Sequence, residues 1–463
     1  MAIADSDGNG GVFARLSARL SWHAAAARLD AWRRDGSDRA VTQRNAGSAF
    51  LIRIASAAII YLTQVLLARW MGRFEFGIYV YVWAWVGVLG ALAPLGVAYS
   101  AQRFVPEYRA RHDNAGLRGF LRGGRLLCFA LGTAAGAALA TTVVLLRGQI
   151  APYYVAPFLI ASLALPIFAV SSAQDGIARA FDWIDLALIP GFIAHPLILI
   201  AAMATVHVLG APVTALHALI AACAAFWLVV LTQVVLLGRR LGRGVEAGAR
   251  RYDARAWLTT SLPMFLVDGF FILLTCVDVL VLQAFVGPAE VAVYHAATKT
   301  LALISFVYYA VSAASAHRFS RYHVAGESER LATFVTDTVR WTFWPSLALA
   351  IGLIIVGRPL LALFGPGFAE GFPLMCVLVV GLMARASVGP AERLLSMQGE
   401  QRASAAIYAG AFAVNLALCL LLIPRFGLIG AATATATAIV CESILLFAVA
   451  KRRLGLHAFI VGG

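Results

Sequence analysis

The sequence predicts an all-α polytopic membrane protein, with twelve transmembrane helices in two parallel six-helix lobes around a central cavity. Three observations carry that reading. Apolar residues make up 61% of the 463 residues and charged residues only 13%, against about 45–50% and about 25% in soluble domains. Twelve segments are long and apolar enough to span a bilayer, which takes about 20 residues each. The chain also repeats itself at an offset of 215 residues. Leu67-Ala-Arg-Trp-Met-Gly72-Arg-Phe-Glu75-Phe-Gly77-Ile-Tyr79 returns, ungapped, as Leu282-Gln-Ala-Phe-Val-Gly287-Pro-Ala-Glu290-Val-Ala292-Val-Tyr294.

The spans fall at 47–68, 78–101, 125–146, 153–173, 184–208, 214–237, 258–285, 291–315, 340–357, 373–392, 403–423 and 428–450. Six per half is an even number. The halves therefore run the same way through the membrane, related by an axis along its normal. Arg125 and Arg340, at the starts of third spans, are again 215 apart, and Gly210 and Gly427, before sixth spans, are 217 apart. The expected organisation is a cytoplasmic tail over 1–46, a first lobe over 47–238, a basic linker over 239–257, a second lobe over 258–450 and a cytoplasmic tail over 451–463. With both termini inside, cytoplasmic segments hold 28 Lys and Arg, counting Arg125 at the edge of the third span. Five lie opposite: Arg69, Arg73, Arg147, Arg358 and Arg425. That is a strong positive-inside bias. It accounts for the net charge of +14 through contact with anionic headgroups, and no aromatic-interleaved basic motif points to nucleic acid. Residues 11–34 place Phe13, Leu16 and Leu20 at helical spacing among arginines, which fits an interfacial helix or a disordered tail. No signal peptide is expected. The six cysteines stand singly in apolar runs, with no spacing for a metal site or disulfide framework.

A charge near the middle of a span costs about 2.5–3.5 kcal/mol on the insertion scale, so each is functional or paired. Arg53 and Asp268 are 215 apart and occupy equivalent positions in the two lobes. Either Arg53 binds an anionic substrate while Asp268 titrates or gates, or the two form a structural pair. Asp278 and Lys299 flank the turn near Pro288 at nearly equal depth. An ion pair between them is the simplest expectation, with Lys299 facing the cavity as the alternative. Arg385 has no partner in sight and is expected to contact a bound anion. Arg53, Lys299 and Arg385 are thus the candidate substrate-binding cations, and Asp268, Asp278 and Glu442 the candidate coupling or gating acids. His195, before Pro196, is expected to bond a backbone carbonyl. Prolines inside many spans remove backbone bonds and kink helices, as suits a cavity that opens alternately to each side.

Taken in order along the chain, these motifs resemble the polysaccharide flippases of the multidrug/oligosaccharidyl-lipid/polysaccharide exporter superfamily. The resemblance rests on Leu66 to Tyr79, on Pro263 with Asp278, and on Gly287 to Lys299. It continues in Leu361-Ala-Leu-Phe-Gly365-Pro-Gly-Phe368 and Ile423-Pro-Arg-Phe-Gly427-Leu-Ile-Gly430-Ala-Ala432, and it covers about residues 45–450. It implies a V-shaped pair of lobes, alternating access, and transfer of an undecaprenyl-pyrophosphate-linked oligosaccharide across a bacterial inner membrane. It further implies that Arg53 matches, by position, a cavity residue of lipid II flippases. Two C-terminal spans typical of those relatives are absent, which favours the O-antigen, capsule or exopolysaccharide branch. The partners implied are the lipid-linked oligosaccharide, membrane lipids, and polysaccharide polymerase and export machinery; no cofactor is implied. A cation-coupled multidrug exporter of the same superfamily is the rival reading. An enzyme is disfavoured, because no loop is large enough to hold a catalytic segment.

Overall fold

A computed structural model describes residues 38–246 and 248–460, with side chains from Ile52 onward apart from a few positions in helices. The expected interfacial helix over 11–34 lies outside the described residues. The chain divides into two compact units, Met1–Ile52 and Arg53–Gly463. Of the first, residues 38–52 are helical; the second holds the helix packing and the cavity.

Among the described residues all regular structure is helical. Two very long helices each contain two crossings. Asp38–Leu92 breaks at Gly72 (φ 74°) into α1 and α2, and Gln401–Leu454 breaks at Gly427 (φ 54°) into α11 and α12. Only glycine enters the left-handed region without a Cβ penalty, so both corners are set by residue type. Between them lie α3 (Asn114–Leu145), α4 (Pro152–Ser162 bent into Leu165–Ala180) and α5 (Ile184–Ile189, a π turn at Pro190–Ala194, then His195–Val208). Then come α6 (Ala215–Gly244), α7 (Ala254–Leu282), α8 (Pro288–Val324), α9 (Ser328–Ile355) and α10 (Phe372–Ser387). Counted this way the described residues hold twelve main helices, besides the short Gly357–Ala362, Phe368–Gly371 and Ala391–Met397, and the long apolar ones make this a multi-pass membrane protein.

Local chemistry places the starts. Asp113 accepts from Gly116 N at 2.9 Å to cap α3, and Asp253 from Ala256 N at 3.1 Å to cap α7. Such caps satisfy amide donors that the helix leaves without partners. Of the kinks expected at proline, Pro94 falls in a full interruption of the helix. After Leu92 the helix unwinds through Leu95 (φ 48°) and Gly96 (φ 79°), and α2 resumes over Val97–Ala110.

Helix packing runs chiefly within each half. The lower segment of α2 packs on α3 and α4, and α4 on α3; in the second half α7 and α10 pack on α11 and α12, and α8 on α9. Two zones join the halves. At the end carrying Gly72 and Gly427, here called distal, Gly77 lies so close to Pro288 that an added Cβ would sit 1.8 Å from the Pro288 carbonyl oxygen. Around it, Tyr61 bonds Thr300 at 3.3 Å, Arg73 pairs with Glu370 at 3.3 Å, and Phe76 meets His295 and Phe368. At the opposite, proximal end α2 is stitched to α7. Ser100 bonds both Ser261 and the carbonyl of Trp257, and Trp257 donates to Tyr108 at 3.2 Å.

The segment before α7 is laid across α3. Arg118 donates to the carbonyls of Ala249 (2.9 Å) and Glu246 (2.8 Å), Arg251 N donates to Ala115 O (2.9 Å), and Arg251 pairs with Asp113. The Gly116 amide, ahead of Arg251, holds the Asp113 carboxyl below its usual range.

Candidate functional site

A cavity of about 360 Å³ lies between the halves, below the distal seam. From the first half it is lined by Ile60 and Gln64 of α1 and by Tyr79, Val80, Trp83 and Ala84 of α2. Its other wall comes from Thr275, Cys276, Asp278 and Val279 of α7 and His295, Thr298, Lys299 and Ala302 of α8. Its size falls in the range of small-molecule pockets, about 300–1,000 Å³.

The α2 wall is aromatic because Phe76, Tyr79 and Trp83 recur at helical spacing on one face. Phe76 stacks on Tyr79, Tyr79 on Trp83, and Trp83 on His195 of α5 (centroids 5.8 Å, 6° between planes). His195 Nε2 faces the carbonyl of Ala222 at 3.3 Å, as its position before Pro196 led one to expect.

Lys299 is exposed in this cavity. Asp278 shares the wall but is 5% exposed. The two do not come within ion-pair distance among the described residues, which corrects the expectation of a pair. Equal depth leaves the angle around the helix open, and here the Asp278 carboxyl turns towards α12. It accepts from Tyr294 at 2.7 Å and from Thr435 at 3.3 Å. Tyr294→Phe would remove the stronger of these bonds from a buried carboxyl, at a cost of about 1–3 kcal/mol. A lowered unfolding temperature of the purified variant, with Thr435→Val milder, is the expected result.

Arg385 is not without a partner either. It donates to Glu442 of α12 at 2.5 Å, with its own side chain 19% exposed and that of Glu442 0%. The pair lies outside the central cavity. Arg385 borders a small pocket with Ser305, Tyr308, Tyr309 and Ser346, and its guanidinium sits 5.9 Å from the Tyr308 ring centre. Fifty-seven residues separate Arg385 and Glu442, and no local pattern in the sequence links them.

Arg53 is exposed, its guanidinium lies 5.9 Å from the Phe192 ring centre, and that guanidinium has no hydrogen bond or ion pair among the described residues, while its backbone carbonyl accepts from Ser56 at 2.8 Å. It precedes Ile60 and Gln64 by 7 and 11 residues, so all three share one face of α1. At about 1.5 Å per residue, it lies about 10 Å below the cavity towards the proximal end. Tyr309 continues the Thr298 and Ala302 face of α8 in the same way. The side chain of Asp268 lies outside the described residues.

Sequence reasoning passed over Asp175 and Arg179, which fell in an expected loop after 173. The bend at Leu163 and Ala164 instead carries α4 on to Ala180. Arg179 Nε donates to both Asp175 oxygens, at 3.1 and 3.0 Å. An Asp–Arg pair four residues apart is a helix signal, and it could have extended the span.

Residues 42–323 match the family model described as Polysaccharide biosynthesis protein, and residues 263–421 match the MatE model. No curated protein matches the chain. Among solved structures, it is similar to a multidrug resistance MATE family transporter of the MOP superfamily in its inward-facing conformation. That match has 15% identity and a TM-score of 0.69, and covers 88% of this chain and 94% of that one. An outward-facing transporter of the same description aligns at 14% identity and TM-score 0.66, over 89% and 95%. A MOP superfamily transporter from Pyrococcus furiosus Vc1, described by the reverse polarity of its binding pocket, aligns at 15% and 0.66, over 91% and 96%. At such identities the likeness establishes the fold, which is that of the MATE transporters.

Proposed function

Since the chain belongs to the polysaccharide biosynthesis protein family and is a membrane transporter of the MOP superfamily rather than an enzyme, we propose that it flips an undecaprenyl-pyrophosphate-linked oligosaccharide. The cargo moves from the inner to the outer leaflet of a bacterial inner membrane by alternating access, and serves O-antigen, capsule or exopolysaccharide assembly. The proximal end is cytoplasmic, as are both termini. The lobes are 47–238 and 258–450, joined by the basic linker 239–257, with cytoplasmic tails over 1–46 and 451–463. Polymerase and export machinery act on the product.

One observation carries this reading. Counted along the sequence, the intramembrane charges balance. Sorted by exposure among the described side chains they do not: Lys299 and Arg53 are exposed, while Asp278 and the Arg385–Glu442 pair are turned into the protein. A passage so lined attracts a diphosphate and replaces part of its hydration, since cations facing it act in a medium less screening than water. Trp83, partly exposed on the cavity wall, offers apolar ring surface to sugars. The polyprenyl chain stays in lipid.

Lys299→Ala and Arg53→Ala should each lower surface polysaccharide by tenfold or more. Hydrogen bonds to a charged group are worth about 1.5–3 kcal/mol, and about 1.4 kcal/mol is tenfold. Lipid-linked precursor should accumulate in the inner leaflet while the protein stays in the membrane. Normal polymer in both variants would overturn the proposal.

The rival, a cation-coupled multidrug exporter, is favoured by one feature: the buried Asp278, bonded to Tyr294 and Thr435 on the cavity wall. In that case Asp278→Asn would abolish export of a cationic dye, and polymer would be unaffected.

A further inference from the structure

We infer that the niche beside Arg385, outside the central cavity, binds one monatomic anion of the halide class. The inference goes beyond the flippase reading and does not depend on it. The niche measures about 20 Å³, and its polar lining is Ser305, Tyr308 and Tyr309 of α8, Ser346 of α9 and Arg385 of α10. A water needs about 10–15 Å³, so the space admits one water or one ion of similar size.

The lining is rich in unused donors. Serines and threonines inside helices commonly return their hydroxyl hydrogen to a carbonyl of the turn before. On α9, Thr338 donates to Val335 O and Thr342 to Thr338 O, both at 2.7 Å. Ser346 follows one turn later on the same face and is 1% exposed, yet its hydroxyl has no partner among the described residues. The hydroxyls of Ser305, Tyr308 and Tyr309 are without partners there as well. Arg385 gives Glu442 only Nη2, which leaves Nε and Nη1. No carboxylate lines the niche. A water would accept two of these bonds and need acceptors for its own two hydrogens. An anion can accept from all of them, and donors left unmade in a buried place are costly. Charge narrows the class further. Arg385 borders the niche and Glu442 does not, so the positive partner of the pair faces the guest. The pair as a whole is neutral, which suits one negative charge and disfavours two. Bound, the ion joins α8, α9 and α10 and steadies the second half.

The test follows the unfolding temperature of the purified full chain in lipid nanodiscs while sodium chloride replaces sodium gluconate at constant ionic strength. A saturable rise is expected, since stabilisation follows occupancy, and bromide should reproduce it. Ser346→Ala and Tyr308→Phe should each raise the chloride concentration needed by about tenfold. Lys299→Ala and Arg53→Ala should leave the response intact. Hydroxyls with a merely structural role would lower the unfolding temperature equally in chloride and gluconate and leave the response in place, which overturns the site. Where a variant is too unstable to purify, anomalous scattering from bromide in crystals of the parent chain decides: a peak between Ser346 and Arg385 supports the site, and its absence there overturns it. A parent chain indifferent to chloride has a water in the niche, and the inference fails. It fails too if the response is lost in Lys299→Ala and kept in Ser346→Ala, which puts the ion in the central cavity. None of these outcomes reads polymer, so the flippase reading stands or falls separately.

Discussion

Gly77→Val will hold the distal seam apart and stop transport. The Cβ it adds would meet the carbonyl oxygen of Pro288 at 1.8 Å, far inside any contact distance, and the obstacle is backbone on both sides. Overpacking typically costs about 1–3 kcal/mol. In a carrier with two states, that cost falls only on the state in which the seam is closed. The population therefore shifts towards distal-open by about tenfold for each 1.4 kcal/mol. Cys276 lines the cavity and reports on this directly. In a variant whose other cysteines are replaced, a membrane-impermeant thiol reagent added from the periplasmic side should label Cys276 in the Gly77→Val background and spare it otherwise. Equal labelling in both would mean that the Gly77–Pro288 contact is not a gate. Gly77→Ala should act in the same direction, less completely.

Arg385→Ala will fail for a different reason. It leaves Glu442, 0% exposed and with its Oε2 already unpartnered, as an unpaired charge within the membrane. Breaking a buried pair in this way costs about 3–5 kcal/mol. The protein should be recovered from membranes in poor yield, or unfold well below the parent temperature. Arg385→Ala with Glu442→Gln removes both charges and should restore folding. If the double variant also restores polymer, the pair serves packing alone. If it folds but does not transport, Arg385 acts on the cargo from its small pocket beside Tyr308. A stable, fully folded Arg385→Ala single variant would count against the pair altogether.

Both results turn on geometry that the sequence states unevenly. Helix existence was plain, because an apolar run of span length has few other meanings. Corners at Gly72, Gly210 and Gly427 were marked by the repeat, and each proves to need positive φ. What composition and spacing leave out is rotation about each helix axis. Depth placed Asp278 level with Lys299, yet the carboxyl turns to Tyr294 and Thr435. Depth left Arg385 alone, though Glu442 stood on a neighbouring helix. Asp175 and Arg179 were missed because the apolar run on α4 stops before the helix does. The charged residues there belong to the helix Leu165–Ala180, which runs on past the apolar stretch. The Asp268 side chain, the repeat mate of Arg53, lies outside the described residues, so its part in the site stays a proposal from the sequence.

The seam between α2 and α7 has a further consequence. Ser100, Ser261, Trp257 and Tyr108 fasten these helices at the proximal end, and the stretch of chain before α7 is strapped over α3 by Arg118 and Arg251. A carrier whose cargo trails a long hydrocarbon tail must let that tail slip through its side wall. The riveted flank cannot be the doorway without breaking several bonds at once. Traffic would be one-sided, with the tail passing along the α1 and α8 flank, and the molecule would work less like a clamshell than like a book bound along one spine.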